Sequence, residues 1–303
     1  IDEVVVVGYG AVSRKNLTTA IAQVKPEKIP QAATSNISQL LMGRAAGLQA
    51  VVNSTQPDGK VNISIRGGEN PIYVVDGIVM PGDAISTNGG ETGLPSNVNR
   101  GGLAGLNPSD IESVEILKDA SAAIYGIGAA NGVILITTKK GKEGAPSISY
   151  DGSYSFVRNY PYLDALNSQQ YMELANVFNK ENYLYNKKQY PYGPDAYDGK
   201  WSPLFSETDR LNALDTNWKD YVLKSGYITK HNLTISGGTS KIRYYLGGSY
   251  LDQEGTVLNS GMTKYTFRGN IGVDLFPFLN FTSAFNANQN TYSNCMVGTD
   301  TGN

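Results

Sequence analysis

The stretch Thr263-Lys-Tyr-Thr-Phe-Arg-Gly-Asn-Ile-Gly-Val-Asp-Leu275 alternates between two kinds of residue. On an extended chain Tyr265, Phe267, Ile271, Val273 and Leu275 share one side, and Lys264, Thr266, Arg268, Asn270 and Asp274 share the other. The same period of two runs through Ser147–Val157, where Ile148, Tyr150, Tyr154 and Phe156 oppose Ser147, Ser149, Asp151, Ser153 and Ser155. It recurs in Lys241–Leu251 (Ile242, Tyr244, Leu246, Tyr250) and in Leu279–Asn290 (Leu279, Phe281, Phe285), and more weakly in Tyr227–Gly237. Strands of roughly 9–13 residues exceed the ~5–6 typical of soluble sheets and match what a tilted strand needs to cross a bilayer. A large β-sandwich would alternate in the same way, but with shorter strands and fewer aromatics on the outer face.

The connections between these segments supply an independent test. Gly238–Ser240 joins the second to the third, and Phe276–Phe278 joins the fourth to the fifth. The other two connections run to about 68 and about 11 residues, so short and long alternate as in outer-membrane barrels. This asymmetry sets the direction, with the first strand rising outward from the periplasmic side. Five strands cannot close a barrel, and unpaired edges are not tolerated in hydrocarbon. The expectation is therefore that the functional protein contains further strands, continuing past Asn303; strands supplied by other copies are the alternative. The start at Ile1, without Met or a signal peptide, is expected to reflect processing or a longer parent.

Composition removes several function classes. The net charge of −2 gives no basis for nucleic-acid binding. A single cysteine, Cys295, allows no internal disulfide framework, and a single histidine, His231, rules out a His/Cys metal cluster within the chain. His231 has no neighbouring nucleophile that would mark a catalytic motif, and it reads as a ring within a strand. No enzymatic activity, metal or cofactor is expected. The 34 Gly and 20 Tyr stand out against 17% charged residues.

Residues 1 to about 145 follow a different pattern, mixed α and β. A helix is expected from Ser35 to about Ala46, capped by Ser35 or Asn36, with Ile37, Leu40, Leu41 and Ala45 on one face. Short strands are expected at Val61–Ile65, Ile72–Val75, Ile111–Leu117 and Val133–Thr138. Asp119–Tyr125 suits a short helix ending at Gly126. The Gly-, Asn- and Ser-rich stretch Gly82–Gly102 reads as a long loop, a kind usually functional or disordered. Val4–Val7 followed by Gly8-Tyr-Gly10 has the outline of a dinucleotide-binding turn. Ser13 stands at the third glycine position, however, and no βαβ continuation follows.

Several longer motifs carry a family resemblance. Leu117-Lys-Asp-Ala-Ser-Ala-Ala-Ile-Tyr-Gly126, continuing into Ala129–Gly141, resembles the plug signature of SusC/RagA-type TonB-dependent transporters. So do Asp2–Gly10, Gly43–Gln49, Ile65-Arg-Gly67 and Tyr73-Val-Val-Asp-Gly77, while His231–Gly238 and Tyr250–Gly255 resemble the family's early barrel strands. The likeness covers nearly the whole chain. It departs at Gly126-Ile-Gly128, where the family more often carries a basic residue.

The resemblance implies an α+β plug domain followed by antiparallel transmembrane β-barrel strands, in the outer membrane. The expected organisation is a TonB-box-like segment at 1–12, a plug at 13–145, and about five barrel strands at 146–303 with a long outer loop at 159–226. Asp2, Glu3, Val4, Val5, Val6 and Val7 would contact TonB by strand addition, since four consecutive valines form a strong β segment; an ordinary buried strand is the alternative. Arg66 would lock the plug by pairing with wall carboxylates. Glu112 and Glu115 would face the water-filled gap between plug and wall and are grouped with it. Asp76-Gly77 reads as a tight structural turn. Glu69, Asn70, Met80, Asp83, Thr87 and Asn88 would face the ligand, with Tyr160–Tyr227 adding aromatic residues suited to sugar rings or protein partners. The implied function is TonB-dependent import of a nutrient, an oligosaccharide first. A peptide importer or a ligand-sensing surface receptor is the alternative. The implied partners are TonB, a SusD-like surface lipoprotein, the oligosaccharide or peptide ligand, and outer-membrane lipid.

Overall fold

The structure is a computed structural model that describes residues 4–7, 10–13, 21–26, 37–52, 57–59, 61–80, 102–118, 120–159 and 164–293. The chain divides into two compact units, one made of residues 1–158 and 225–303 and the other of residues 159–224.

The first unit opens with β1 (Val4–Val7) paired antiparallel with β2 (Gly10–Ser13) in a two-stranded sheet. Next come β3 (Ile21–Val24), α1 (Ile37–Leu40), β4 (Leu48–Val52), β5 (Val61–Ile65), β6 (Gly68–Glu69), β7 (Ile72–Val75) and β8 (Ile78–Met80). β9 (Ile111–Leu117) and β10 (Val133–Thr138) complete the plug half. The four ranges that read as strands from the sequence, Val61–Ile65, Ile72–Val75, Ile111–Leu117 and Val133–Thr138, coincide with β5, β7, β9 and β10. β3, β9, β10, β7 and β8 form one mixed sheet in that order, with only the β10–β7 pair parallel. β4, β5 and β6 form a small antiparallel sheet.

Both faces of the mixed sheet are apolar. One packs Val114, Ile116, Ile134 and Ile136 against Ile37, Leu41, Leu48, Ile63 and Ile65. The other packs Leu117, Val133 and Leu135 against Ala122 and Ala129, carried by the 3-10 turns Ala120–Tyr125 and Ile127–Asn131. Burial on both sides explains why β9 and β10 read as near-continuous apolar runs. The helix expected over Ser35–Ala46 is shorter, a single α turn at Ile37–Leu40. Gly43 at φ 68 and Gly47 at φ 75 stop it, since the left-handed conformation ends a helix. Its expected caps, Ser35 and Asn36, lie outside the described residues. Ile37, Leu40, Leu41 and Ala45 are nonetheless all buried.

Five long strands follow: β11 (Gly144–Val157), β12 (Gly226–Gly238), β13 (Ile242–Glu254), β14 (Gly261–Phe276) and β15 (Leu279–Ser293). Each pairs antiparallel with the next in an up-and-down wall. The two faces of this wall are inverted relative to a soluble sheet. On β14, Lys264, Thr266 and Arg268 are 3%, 6% and 5% exposed, whereas Tyr265 and Phe267 are 52% and 50% exposed. Along β12 to β14 the polar face is buried against the plug half and the aromatic face points away from the chain. A β-sandwich in water requires the opposite, whereas a lipid-facing barrel requires this arrangement.

The outer face is also banded. His231, Tyr250 and Tyr265 neighbour one another across three strands, with Tyr150 stacked on His231 and Tyr154 on Tyr227. Phe276 and Phe278 stack at the opposite end. With a ~3.3 Å rise and ~40° tilt, Tyr265 to Phe276 spans about 28 Å, close to the apolar thickness that aromatic girdles bracket.

The second unit is not a plain loop. It contains α2 (Ser168–Asn186), α3 (Glu207–Leu211) and α4 (Trp218–Val222). Asn167 and Gln170 close a capping box at the start of α2, which the sequence reading missed. α2 buries only Leu184, so its amphipathic signal is faint. Polar contacts hold it instead: Asn176 exchanges two hydrogen bonds with the Phe205 backbone, Trp201 Nε1 donates to Asn179, and Tyr183 donates to Asp198. Among the described residues no helix is long and apolar enough to cross a membrane, which says nothing about crossing by strands.

Candidate functional site at the seam of plug and wall

The polar inner face of the wall must find partners, because a buried polar group left unpaired costs about 1–3 kcal/mol. The plug supplies them, and every strand from β12 to β15 takes part. Asn107 Nδ2 donates to Asn232 Oδ1 on β12 at 2.9 Å. Tyr245 on β13 donates its hydroxyl to Asp110 Oδ1 at 2.8 Å. Lys264 Nζ on β14 donates to the Leu106 carbonyl at 3.3 Å, and Tyr292 on β15 donates to Asp58 Oδ2 at 3.1 Å.

Local structure sets these plug residues in place. The Asn107 side chain accepts from Ser109 N and caps the 3-10 turn Pro108–Asp110, which leads directly into β9. Lys139 N bonds back to the Asp110 carbonyl, tying that turn to the end of β10. Burial pushes the Asp110 carboxyl above its ordinary range, opposed by the Tyr245 hydrogen bond and by the charges of Arg268, Lys139 and Lys230.

The strongest clasp centres on Asp76. Asp76 sits in the β7–β8 turn at φ 48, ahead of Gly77 at φ 89. Its carboxylate accepts from Thr138 N at 3.0 Å, from Thr138 Oγ1 at 2.5 Å and from Arg268 Nη2 at 2.8 Å. Arg268 also donates to Thr138 Oγ1. One guanidinium on the wall thus holds a plug turn and the end of a plug strand together. The pair is largely withdrawn from water, so its attraction is only weakly screened. Sequence reading took Asp76 as purely structural and saw Arg268 only as one of the polar set. The alternation placed Arg268 on the inner face, but no local signal linked it to a residue so distant in the chain.

The residues singled out in advance scatter. Arg66 is exposed in the turn after β5 at φ 51, and its backbone N bonds to Gly47 O. Glu112 is half-buried and pairs with Lys142 at 3.1 Å. Glu115 departs from expectation. Rather than facing a gap between plug and wall, it is 1% exposed within the plug sheet, where it accepts from Gln23 Nε2 at 3.0 Å and Ser113 Oγ at 2.8 Å. Burial holds its carboxyl above the ordinary glutamate range. The reason is β9's central position, which leaves neither of its faces open.

Glu69 and Asn70 are exposed next to Asn131, whose Nδ2 donates to the Glu69 carbonyl at 2.6 Å. Met80 packs partly against the first plug core. Val4, Val5, Val6 and Val7 form β1 and pair with β2. Asp2, Glu3, Asp83, Thr87 and Asn88 lie outside the described residues. Among the described residues no cluster of three or more His, Cys, Asp or Glu could hold a metal.

Residues 13–133 match the TonB-dependent Receptor Plug Domain. The chain is 33% identical to TonB-dependent receptor SusC of Bacteroides thetaiotaomicron over 97% of its own length and 27% of that protein's. It is 31% identical to TonB-dependent receptor P3 of Formosa agariphila over 91% of its length and 23% of that protein's. It therefore spans about a quarter of the length of the curated relatives it matches. Among solved structures it resembles the RagAB peptide importer in the open-open state, with a TM-score of 0.68 at 24% identity, covering 96% of this chain and 33% of that one. A plug domain docked on the polar face of an up-and-down wall, with these relatives, places the chain in the SusC/RagA type of TonB-dependent receptor, a family of the outer membrane.

Proposed function

We propose that this chain contributes the plug and first wall strands of a TonB-driven importer that carries a nutrient across the outer membrane. The observation that carries this reading is the seam. A folded domain fills the polar side of a lipid-facing wall through individually breakable contacts, as a movable stopper requires. In this reading transport, not covalent chemistry, is the activity.

Asp2–Val7 is the segment TonB would capture. Strand addition uses main-chain hydrogen bonds, and among the described residues β1 pairs on one edge only. Arg66 and Glu112 would contribute to locking the plug. Glu69, Asn70, Met80, Asp83, Thr87 and Asn88 would face the cargo, an oligosaccharide in the first reading. A peptide is the second reading, favoured by the fold-level likeness to the RagAB peptide importer. A SusD-like surface lipoprotein would be the outer partner.

Deleting residues 2–7 should abolish energised uptake while leaving cargo binding by the purified receptor intact. Normal uptake by the deletion would refute the reading.

A further inference from the structure

The plug is bonded to the wall unevenly. β12, β13, β14 and β15 each hold it by a hydrogen bond. β11 meets it differently. Ser147, Ser149 and Asp151 belong to its inner face, since they lie opposite Ser236, Thr234 and Asn232 of β12. All three are exposed. Asp151 accepts from Asn232 at 3.4 Å, and among the described residues neither serine is tied to the plug. An inner face left uncovered keeps its polar groups in water.

A cavity of about 340 Å³ lies here, bounded on the plug side by Glu112, Lys139, Lys140 and Lys142. That is the lower end of the roughly 300–1,000 Å³ typical of small-molecule sites. Every residue that β11 and β12 give to its lining is Gly, Ala, Ser or Thr. The inner face of β14, by contrast, carries the long buried side chains of Lys264, Arg268 and Asn270. Small side chains leave the space open, and the Ser and Thr hydroxyls both donate and accept. The charges at its edge are of both signs, with Lys142 paired to Glu112 at 3.1 Å, so no field of one sign selects an ion.

We propose that the gap between the plug and the β11–β12 side of the wall is the route the cargo takes, and that Ser147, Ser149, Thr234 and Ser236 line it for an uncharged, hydroxyl-rich chain of the oligosaccharide class. Widening this gap breaks none of the hydrogen bonds that hold the plug to β13, β14 and β15. The plug can therefore yield on one side while Arg268 still clasps Asp76 on the other. The lining hydroxyls exchange hydrogen bonds with each passing sugar unit, so its polar groups are not left unpaired. This inference deepens the importer reading and rests on it.

The probes are fluorescent hexasaccharides of α-glucan, β-glucan and mannan, offered to cells that carry the complete receptor and its TonB system. Ser149→Trp fills the gap, and Tyr150→Trp, the next residue along on the outer face, is the control. The expected result is that the wild type and Tyr150→Trp accumulate at least one probe only while the proton gradient is intact. Ser149→Trp loses that uptake, yet the purified variant still binds the same probe. Uptake by Ser149→Trp at the wild-type rate overturns the route and leaves the importer reading standing. Equal loss in Tyr150→Trp, or loss of binding along with uptake in Ser149→Trp, also overturns it. Uptake of none of the probes by the wild type overturns the route for uncharged cargo, and the importer reading then stands or falls on the deletion of residues 2–7. If Ser149→Trp does not assemble, Ser149→Cys in a Cys295→Ser background, capped with pyrene maleimide after assembly, serves for the same comparison.

Discussion

β9 and β14 belong to the same compact unit and obey opposite rules. In β9, burial and apolarity coincide at all but the hydrogen-bonded Ser113 and Glu115: Val114, Ile116 and Leu117 are enclosed on both faces of the plug sheet. In β14 they are opposed: Lys264 and Arg268 are enclosed while Tyr265 and Phe267 are bare. The difference lies in the medium each face meets. Protein surrounds the plug sheet on both sides, so apolar burial drives its assembly. The wall has protein on one side and hydrocarbon on the other, so its apolar face gains nothing by being covered, and its polar face must be satisfied residue by residue.

Breaking a wall-to-plug pair should produce the largest effect. Arg268→Ala leaves the Asp76 carboxylate without its cation and should destabilise the plug by about 3–5 kcal/mol in denaturant unfolding. Adding Asp76→Asn should recover part of that loss, and purely additive losses would show that the two side chains do not act as a pair. Next comes the plug core. Ile134→Ala opens a cavity at a fully buried position and should cost about 3 kcal/mol in the same measurement, independently of the surrounding lipid.

Ile271→Arg, on the lipid face midway between Tyr265 and Phe276, tests the other side of the comparison. Beside a buried arginine that the fold accommodates, an arginine on the lipid face should cost about 2–3 kcal/mol in bilayers. It should cost little in a detergent whose head groups reach that depth. Equal costs in both media would remove the lipid-facing assignment.

Glu115→Gln should have the smallest effect. Because burial raises the folded-state pKa of Glu115, the folded plug binds its proton more tightly than the unfolded chain does. Its contribution is full below the ordinary glutamate range and is lost as pH rises through the raised value. The glutamine variant should flatten that part of the stability–pH profile and be the more stable protein above it. A profile unchanged by the substitution would show that Glu115 does not titrate in this window.

Much of the fold was legible in the sequence. Periodicity found the wall strands with both faces assigned, because a period of two needs only neighbouring residues to be read. Four plug strands were legible because their apolar runs are short and bounded by turn residues. The segment between β11 and β12 was less legible. α2 is held by capping and by Asn, Tyr and Trp side chains rather than by an apolar stripe, so the helical period barely registers. The site was the least legible part. Arg66 stands out through its motif, whereas Asp76 and Arg268 are ordinary residues until the fold brings them together.

The sequence by itself determined that two halves with different solvents are joined in one chain, because alternation and apolar runs are local properties. It also determined which wall residues face inward. Only the tertiary structure decided which inward residue meets which plug group: that Arg268 clasps Asp76, that Tyr245 reaches Asp110, that Glu115 turns into the plug, and that Lys230 is enclosed beside Lys264. Those pairings depend on the height and rotation at which the plug sits against the wall. That placement is set by the sum of many weak contacts, and no single stretch of the chain contains it.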